Sequence, residues 1–288
     1  MLAFITSLRH PQNSSDYTRV ERLLKGTLAS VTAQTDPGFV VIVVGNERPA
    51  FDLPRRTVFV QAEFPPPAPP DGPRSPRDDF VRDKGSKIGL GLVAAREYSP
   101  DYVMIFDADD FVSRDLAGWV NARHAAPGWV IDRGWMYSAA RGAMRPVDRF
   151  HRTCGTSFVL PWEVYEVPEC LSTDSTQAEV MAAYGEILPN VLGAHRNLQQ
   201  WLAERGRVVE SLPFRGAVYH VDTGENHSGK TLTGLARPLS GGRAAEFGMP
   251  PVGTVPAVWR SLGPVALKES WDARGRERLR RSLRIARG

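Results

Sequence analysis

The string Asp107-Ala108-Asp109-Asp110 closes an uninterrupted apolar run, Tyr102-Val-Met-Ile-Phe106. Two carboxylates one residue apart can point into the same small volume and hold a hard divalent cation, Mg²⁺ or Mn²⁺, which in turn neutralises a diphosphate. The apolar run before them reads as a buried strand, and ligands of open α/β sheets bind at the carboxyl ends of such strands. The plainer alternative is an acidic loop capping the next helix. The buried strand and the third acid, Asp110, weigh against it.

Two other uses of the acid spacing fail. A phosphatase of the haloacid-dehalogenase type needs Thr or Val at the fifth position, where Phe111 stands. A calcium loop needs Gly at the sixth and Glu at the twelfth, and those places hold Val112 and Gly118. Upstream, Asp83-Lys-Gly-Ser-Lys87 brings two of only five lysines among 36 basic residues into one short stretch. An ammonium on a flexible stem suits a diphosphate, and amides at a helix start assist it. An exposed helix start is the competing reading.

The elements that must position these groups follow from periodicity. Residues 2–7 read as a first strand. Residues 15–34 read as a helix with Val20, Leu23, Leu24, Leu28 and Val31 on one face and Ser14 or Ser15 as its cap. Phe39 to Val44 is a continuous β-branched run of the parallel-sheet kind, and Thr57 to Val60 is another short strand. The proline-rich stretch 64–76 can only be a surface loop. A helix over 80–98 leads to the strand 102–106. This alternation predicts an α/β fold with a mostly parallel central sheet flanked by helices. Beyond residue 110 the order is less regular: a helix near 114–124, strands near 129–131, 134–138 and 157–160, two further helices, the second over 189–205 and capped at Gly206, a strand 217–221, and a basic helix from Pro264.

Composition excludes several classes. With 42% hydrophobic and 24% charged residues the chain is of ordinary globular type. Its net charge of +4 sits at the end, where residues 268–288 carry eight Lys/Arg against three acids, so it does not advertise nucleic-acid binding. Two cysteines, Cys154 and Cys170, make neither a disulfide framework nor a zinc site and are expected as reduced thiols. The opening run Leu2 to Ile5 stops at Thr6, Ser7 and Arg9, short of a signal peptide, and no 18-residue apolar run follows. A cytoplasmic protein is expected.

Residues 1 to about 110 resemble the nucleotide-binding half of GT-A fold glycosyltransferases, especially glycosyltransferase family 2. The matching strings are Leu28-Ala-Ser-Val-Thr-Ala-Gln34, Phe39-Val-Val-Ile-Val-Val44 and Val103-Met-Ile-Phe-Asp-Ala-Asp-Asp-Phe-Val112. The resemblance implies a GT-A (Rossmann-like) fold with a less regular C-terminal acceptor-binding region. It divides the chain into a donor half at 1–112, an acceptor half at 113–262 and a basic tail at 263–288. It also implies contacts to a nucleotide-diphosphate sugar, UDP-linked by preference, from Thr6, Ser7, Arg9, Asn46, Glu47, Lys84, Lys87 and Ala108. Where the family writes Asp-Asp or Asp-Asn-Gly-Ser after the second strand, this chain writes Gly45-Asn-Glu-Arg-Pro49. Asn46 or Arg48 would then take the place of an Asp, or Gly45 and Asn46 simply make the turn.

The catalytic base of inverting members resembles an Asp in a Glu-Asp pair, and the corresponding stretch here is Gly193-Ala-His-Arg-Asn-Leu198. His195 is therefore the expected base, its ordinary pKa near 6.5 suiting the task, with holding a phosphate or capping the helix as its other uses and Asp174, Glu179 and Glu186 as alternative bases. The family's third metal ligand would come from His220, Asp222 or His227, with His227 preferred beside Asp107 and Asp109. Asp148 to Ser157 is expected at the acceptor pocket. Trp129, Trp135, Tyr137 and Trp162 are expected in the core rather than on a sugar.

The acceptor would be a hydroxyl on a glycan, a lipid-linked carrier or a small molecule. Two other readings stand beside this one. A nucleotidyltransferase of the same fold would carry a Gly-rich, Arg-containing string after the first strand, where Thr6-Ser-Leu-Arg-His-Pro11 stands. A catalytically weak or non-catalytic sugar- or membrane-binding module would explain the missing acidic base. The basic tail, with Leu279, Leu283 and Ala286 on one helical face, would make its peripheral contact with the inner face of a membrane.

Overall fold

The computed structural model describes residues 1–68, 78–225 and 229–272. In chain order the first half contains β1 (Leu2–Ser7), α1 (Tyr17–Val31), β2 (Phe39–Gly45), β3 (Thr57–Gln61), α2 (Asp78–Ala95), β4 (Tyr102–Ile105) and β5 (Phe111–Val112). The second half contains α3 (Leu116–Asn121), β6 (Trp129–Val130), β7 (Arg133–Ser138), β8 (Ala143–Asp148), β9 (Phe158–Pro161), α4 (Gln177–Tyr184) and α5 (Leu198–Glu204). It closes with β10 (Glu210–Ser211), β11 (Ala217–Val221), β12 (Arg237–Pro238), α6 (Gly241–Glu246) and α7 (Thr254–Leu262).

Seven strands form the central sheet in the order β10-β6-β9-β4-β1-β2-β3. The four strands β4, β1, β2 and β3 are parallel, while β9 runs antiparallel to both β4 and β6. This is the mostly parallel, helix-flanked α/β arrangement that the strand runs predict. Successive residues of β1 serve opposite faces. Leu2 and Phe4 pack with Leu24, Leu28 and Val120 on one side, and Ala3 and Ile5 pack with Ile88, Leu92 and Val180 on the other. Burial on both faces explains why β1, β2 and β4 show no polar alternation.

A second sheet, β12-β8-β7-β11-β5, packs beside the first. The chain steps from one sheet to the other between β4 and β5, so residues 106–110 lie at the junction. Helix α2 approaches the central sheet closely because Gly91 faces it: a Cβ there would stand 2.5 Å from Ile5 Cγ2 and 3.1 Å from Val44 Cγ2.

Several boundaries differ from expectation. Helix α1 is capped by Asp16, whose carboxylate accepts the Arg19 N–H at 3.0 Å, rather than by Ser14 or Ser15. The helix expected over 189–205 is broken. Leu188–Leu192 winds wide, with the Gly193 N–H donating to Leu188 O at 2.8 Å. Gly193 sits so tightly on Val81 that a Cβ would lie 2.3 Å from its carbonyl oxygen, and the chain then turns to bury Leu198, Trp201 and Leu202 in α5. Strand β8 was not anticipated, because Arg145, Pro146 and Asp148 interrupt any apolar alternation. Residues 264–272 are helical, and the remainder of the basic tail lies outside the described residues. No helix among the described residues is long and apolar enough to cross a membrane.

Candidate active site

The Phe106 N–H donates to Ile5 O at 3.0 Å, and this last rung of the sheet delivers the three acids to its carboxyl edge. A turn closed by the Asp110 N–H on Asp107 O, 3.1 Å, then separates their side chains into three environments. Asp110 is fully buried and accepts from Thr156 Oγ1 at 2.5 Å, Cys154 Sγ at 2.9 Å and the His220 N–H at 3.0 Å. Half-buried Asp107 pairs with Lys84 Nζ at 2.6 Å and also takes the Gly155 N–H. Asp109, half-buried too, receives the Thr223 hydroxyl at 3.4 Å.

These environments separate the acids electrostatically. Burial would raise Asp107, but the Lys84 ammonium outweighs it and holds the carboxyl below its usual range. Lys84 is correspondingly raised, the Asp107 charge and hydrogen bond overcoming its own burial. Asp109 is pushed up to about 7 by burial and then by the Asp107 charge. Asp110 rises well above the carboxylate range through burial and the charges of Asp109 and Asp107. Asp107 is thus the acid held ionised, by Lys84, while burial and mutual repulsion favour protons on Asp109 and Asp110, protons that a bound cation would displace from a ligating oxygen.

The collar around the acids comes from residues expected at an acceptor pocket. The Thr156 hydroxyl also accepts the Asp107 N–H at 2.9 Å, and Gly155 leaves no room for a side chain, since a Cβ would lie 2.8 Å from Asp107 Oδ2. Ligand atoms of Asp107, Asp110 and Cys154 lie within 4.8 Å of one another. The soft Cys154 thiol is raised well above its usual range by burial and spends its proton on Asp110, so it does not complete a site for a hard cation. Asp109 is not part of that cluster, and the hard cations Mg²⁺ and Mn²⁺ prefer oxygen donors alone.

Across from the acids stand basic groups. His195 lies within electrostatic reach of Asp107, Lys84, Arg196 and Lys230, and burial above all lowers it to about 4, so it is a neutral imidazole at neutral pH but a weaker base than the expected value near 6.5 would make it. Lys230 is lowered by burial and then by Arg196. With Lys84, Gly155 and Tyr165, His195 lines a cavity of about 20 Å³, room for about one water. The segment after β11 reaches back over the site. The Glu225 carboxylate accepts Arg9 Nη1 at 2.6 Å, the Glu225 N–H donates to Thr223 Oγ1, and Thr223 touches Asp109.

The structure therefore gathers Asp107, Asp109, Lys84 and His195, and gives several other expected residues different work. Lys87 is sealed inside, its ammonium 2.9 Å from Asp83 Oδ2 and 3.0 Å from Leu8 O, so it braces the loop after β1 instead of meeting a diphosphate. Asn46 donates to the carbonyls of Ala62 and Phe64 at 2.8 and 3.0 Å and thereby pins the chain leaving β3. Thr6 is buried at the end of β1 and Ala108 packs partly against the core. Ser7 is half-buried, Arg9 is paired with Glu225, and Glu47 is exposed within reach of His10 and Tyr17. His220 is stacked with Phe111 and Tyr137 and held near 4 by burial. Asp222 takes the Leu232 N–H at 3.3 Å, and His227 lies outside the described residues. The collar of residues 154–156, with Thr223 and Lys230, was not anticipated as part of the acid site. Only the small, polar, Gly-containing string Thr153-Cys-Gly-Thr-Ser157 hinted at it.

No protein-family profile and no curated protein matches the sequence. Solved structures similar to this chain include S. aureus TarS 1-349, at 16% identity and a TM-score of 0.39, covering 76% of this chain and 60% of that one. A second S. aureus TarS structure matches at 15% and 0.38, over 76% of this chain and 36% of its own. The inositol-1-phosphate CTP transferase from T. maritima matches at 12% and 0.36, over 79% and 94%. The chain thus spans about three-fifths and about one-third of the two TarS chains.

Proposed function

We propose that this protein is a glycosyltransferase that moves a sugar from a nucleotide-diphosphate sugar to a hydroxyl acceptor, with Asp107 and Asp109 holding Mn²⁺ or Mg²⁺. The observation that carries the reading is the convergence of Asp107, Asp109 and Asp110 at the carboxyl edge of the parallel sheet, with Lys84 beside Asp107 and with burial and the Asp107 charge raising Asp109 to about 7. Such a cation, when bound, supplies positive charge for a leaving diphosphate. Asp110 takes no part in holding it, because its oxygens already serve three donors.

The chain's own residues then divide the work. Lys84, kept charged by Asp107, stands where it can share the charge of a diphosphate. Arg9 and Glu225 tie the loop after β1 to the segment after β11, whose Thr223 reaches Asp109. His195, neutral and on the flank of Asp107, is assigned the acceptor's proton, which a direct displacement at an anomeric carbon must release. In this reading residues 1–112 carry the donor side and 113–262 the acceptor side.

A thermal-shift or calorimetric screen of nucleotide sugars with and without Mn²⁺ tests it. The wild type should be stabilised by one donor class, UDP sugars first, in a Mn²⁺-dependent way. If no nucleotide sugar stabilises the wild type more than Asp109→Ala, the proposal fails.

A further inference from the structure

The C-terminal helices turn their large apolar side chains outward. In α7, Val255, Val258, Trp259 and Leu262 fall at i, i+3, i+4 and i+7, a single helical stripe, and are 81%, 41%, 70% and 48% exposed. The opposite face is buried through small residues, Ala257 and Ser261. The helix over 264–272 repeats the inversion. Ala266 is buried, Glu269 accepts the Gly234 N–H at 2.7 Å and Ser270 the Leu235 N–H at 2.6 Å, while Val265, Leu267 and Trp271 project at 72%, 54% and 79% exposure. A soluble surface scatters such residues singly, and seven on two successive helices, four of them in one stripe of α7, mark an interaction face.

We propose that this face docks on an anionic lipid bilayer, lying in its interfacial layer. Tryptophans set among shorter aliphatic residues are the side chains that favour that layer, with a ring in the acyl boundary and an N–H among the headgroups. Charge points to the same partner. Arg260 and Lys268 in these two helices are balanced by Glu269 and Asp272, but the sixteen residues from Ala273 to Gly288 carry seven Arg against one Glu. A second copy of the chain is disfavoured, because it would bring together two chains that each carry a net charge of +4.

The face is continuous with the acid site through one side chain. Arg141 donates to Leu232 O at 2.7 Å and Gly234 O at 2.9 Å, to Arg260 O at 2.6 Å, and to Glu269 at 3.3 Å. It thus fastens both outward-facing helices to the segment that begins at Thr223 beside Asp109. Docking would set that segment at the lipid surface.

The test is sedimentation of the full chain with vesicles of phosphatidylcholine alone and of phosphatidylcholine mixed with phosphatidylglycerol, for the wild type and for Trp259→Ser combined with Trp271→Ser. Both tryptophans are exposed, so the double variant should melt as the wild type does. The wild type should pellet with the anionic vesicles, less so in added salt, and the double variant should partition at least about tenfold more weakly. Three results would overturn the inference: no wild-type pelleting with anionic vesicles, undiminished pelleting of the double variant, or a wild-type dimer that the two substitutions dissociate in sedimentation equilibrium. None of these readouts depends on transferase activity.

Discussion

Replacing Lys87 with Met puts the internal ion pair of α2 to the test. Lys87 is 0% exposed, its ammonium bonds Asp83 and the Leu8 carbonyl, and the second oxygen of Asp83, Oδ1, is buried with no hydrogen-bond partner among the described residues. Removing one partner of such a pair leaves a buried charge uncompensated, which costs about 3–5 kcal/mol. At roughly 2–4 °C per kcal/mol for a chain of this size, the melting temperature should fall by about 6–20 °C.

The sign of the pH dependence is set by Asp83. Burial already raises it, and Lys87 is the main opposing influence. Without Lys87 its folded pKa lies further above the unfolded value, so the variant is least impaired below the ordinary carboxylate range and loses stability as pH rises through the folded value. His10, the neighbouring titratable group, is lowered by burial and then by Lys87, and can protonate more readily once Lys87 is gone, which also favours acid conditions. The deficit against wild type should therefore widen in chemical denaturation as pH is raised from below the ordinary carboxylate range. Lys87→Met combined with Asp83→Leu removes both charges and should recover most of the loss. A single variant within about 1 kcal/mol of wild type throughout, or a double variant no better than the single, would refute the reasoning.

Three further outcomes follow from the acid site. Asp109, at about 7 when folded against 3.8 unfolded, favours the folded state while protonated, and that advantage is lost as pH rises through about 7. Metal-free Asp109→Asn should therefore be more stable than wild type at pH 8, by about 1–2 kcal/mol given the solvent access of this half-buried group. Stabilisation by Mn²⁺ should grow with pH in the wild type and be absent in the variant, as read by thermal shift. Gly155→Ala places a methyl 2.8 Å from Asp107 Oδ2 and must turn that carboxylate. It should cost only about 1 kcal/mol of stability, since the side chain can give, yet weaken Mn²⁺-dependent nucleotide binding at least about tenfold by calorimetry. His195→Gln should lower kcat by about 10²–10⁴ while nucleotide affinity stays put; an unchanged kcat would remove His195 from proton transfer.

How much of this was legible in the sequence depended on whether the cause was local. The runs 39–44 and 102–106 announce buried parallel strands because both faces of each strand need apolar residues, a property every residue of the run shares. The buried pair Asp83 and Lys87 stands at i, i+4 in the sequence, but which face of α2 turns inward is decided by Gly91 against Ile5 and Gly89 against Tyr184. The break at Gly193 is caused by Val81, more than a hundred residues earlier. The collar on Asp110 joins residues 44 and 46 positions apart through a hydroxyl and a thiol, side chains without a periodic signature.

Three neighbouring aspartates come to differ because the fold assigns them different donors. Asp110 receives three, two from the collar and one from β11, and so ties both sheets together at their junction. Asp107 receives an ammonium and a backbone N–H and stays ionised. Asp109 has a long contact from Thr223, a residue on a segment that is itself held by the Arg9–Glu225 pair. A carboxylate whose charged form is penalised both by burial and by a neighbouring charge is the one with most to gain from an incoming cation. On this argument Asp109 rather than Asp107 sets the affinity for metal, and Asp110 sets whether the other two are in place to bind at all. Asp110→Asn, which keeps the shape but loses an acceptor for either Thr156 or Cys154, should then impair folding more than Asp109→Asn does, and a ranking in the opposite order by chemical denaturation would contradict this division of roles.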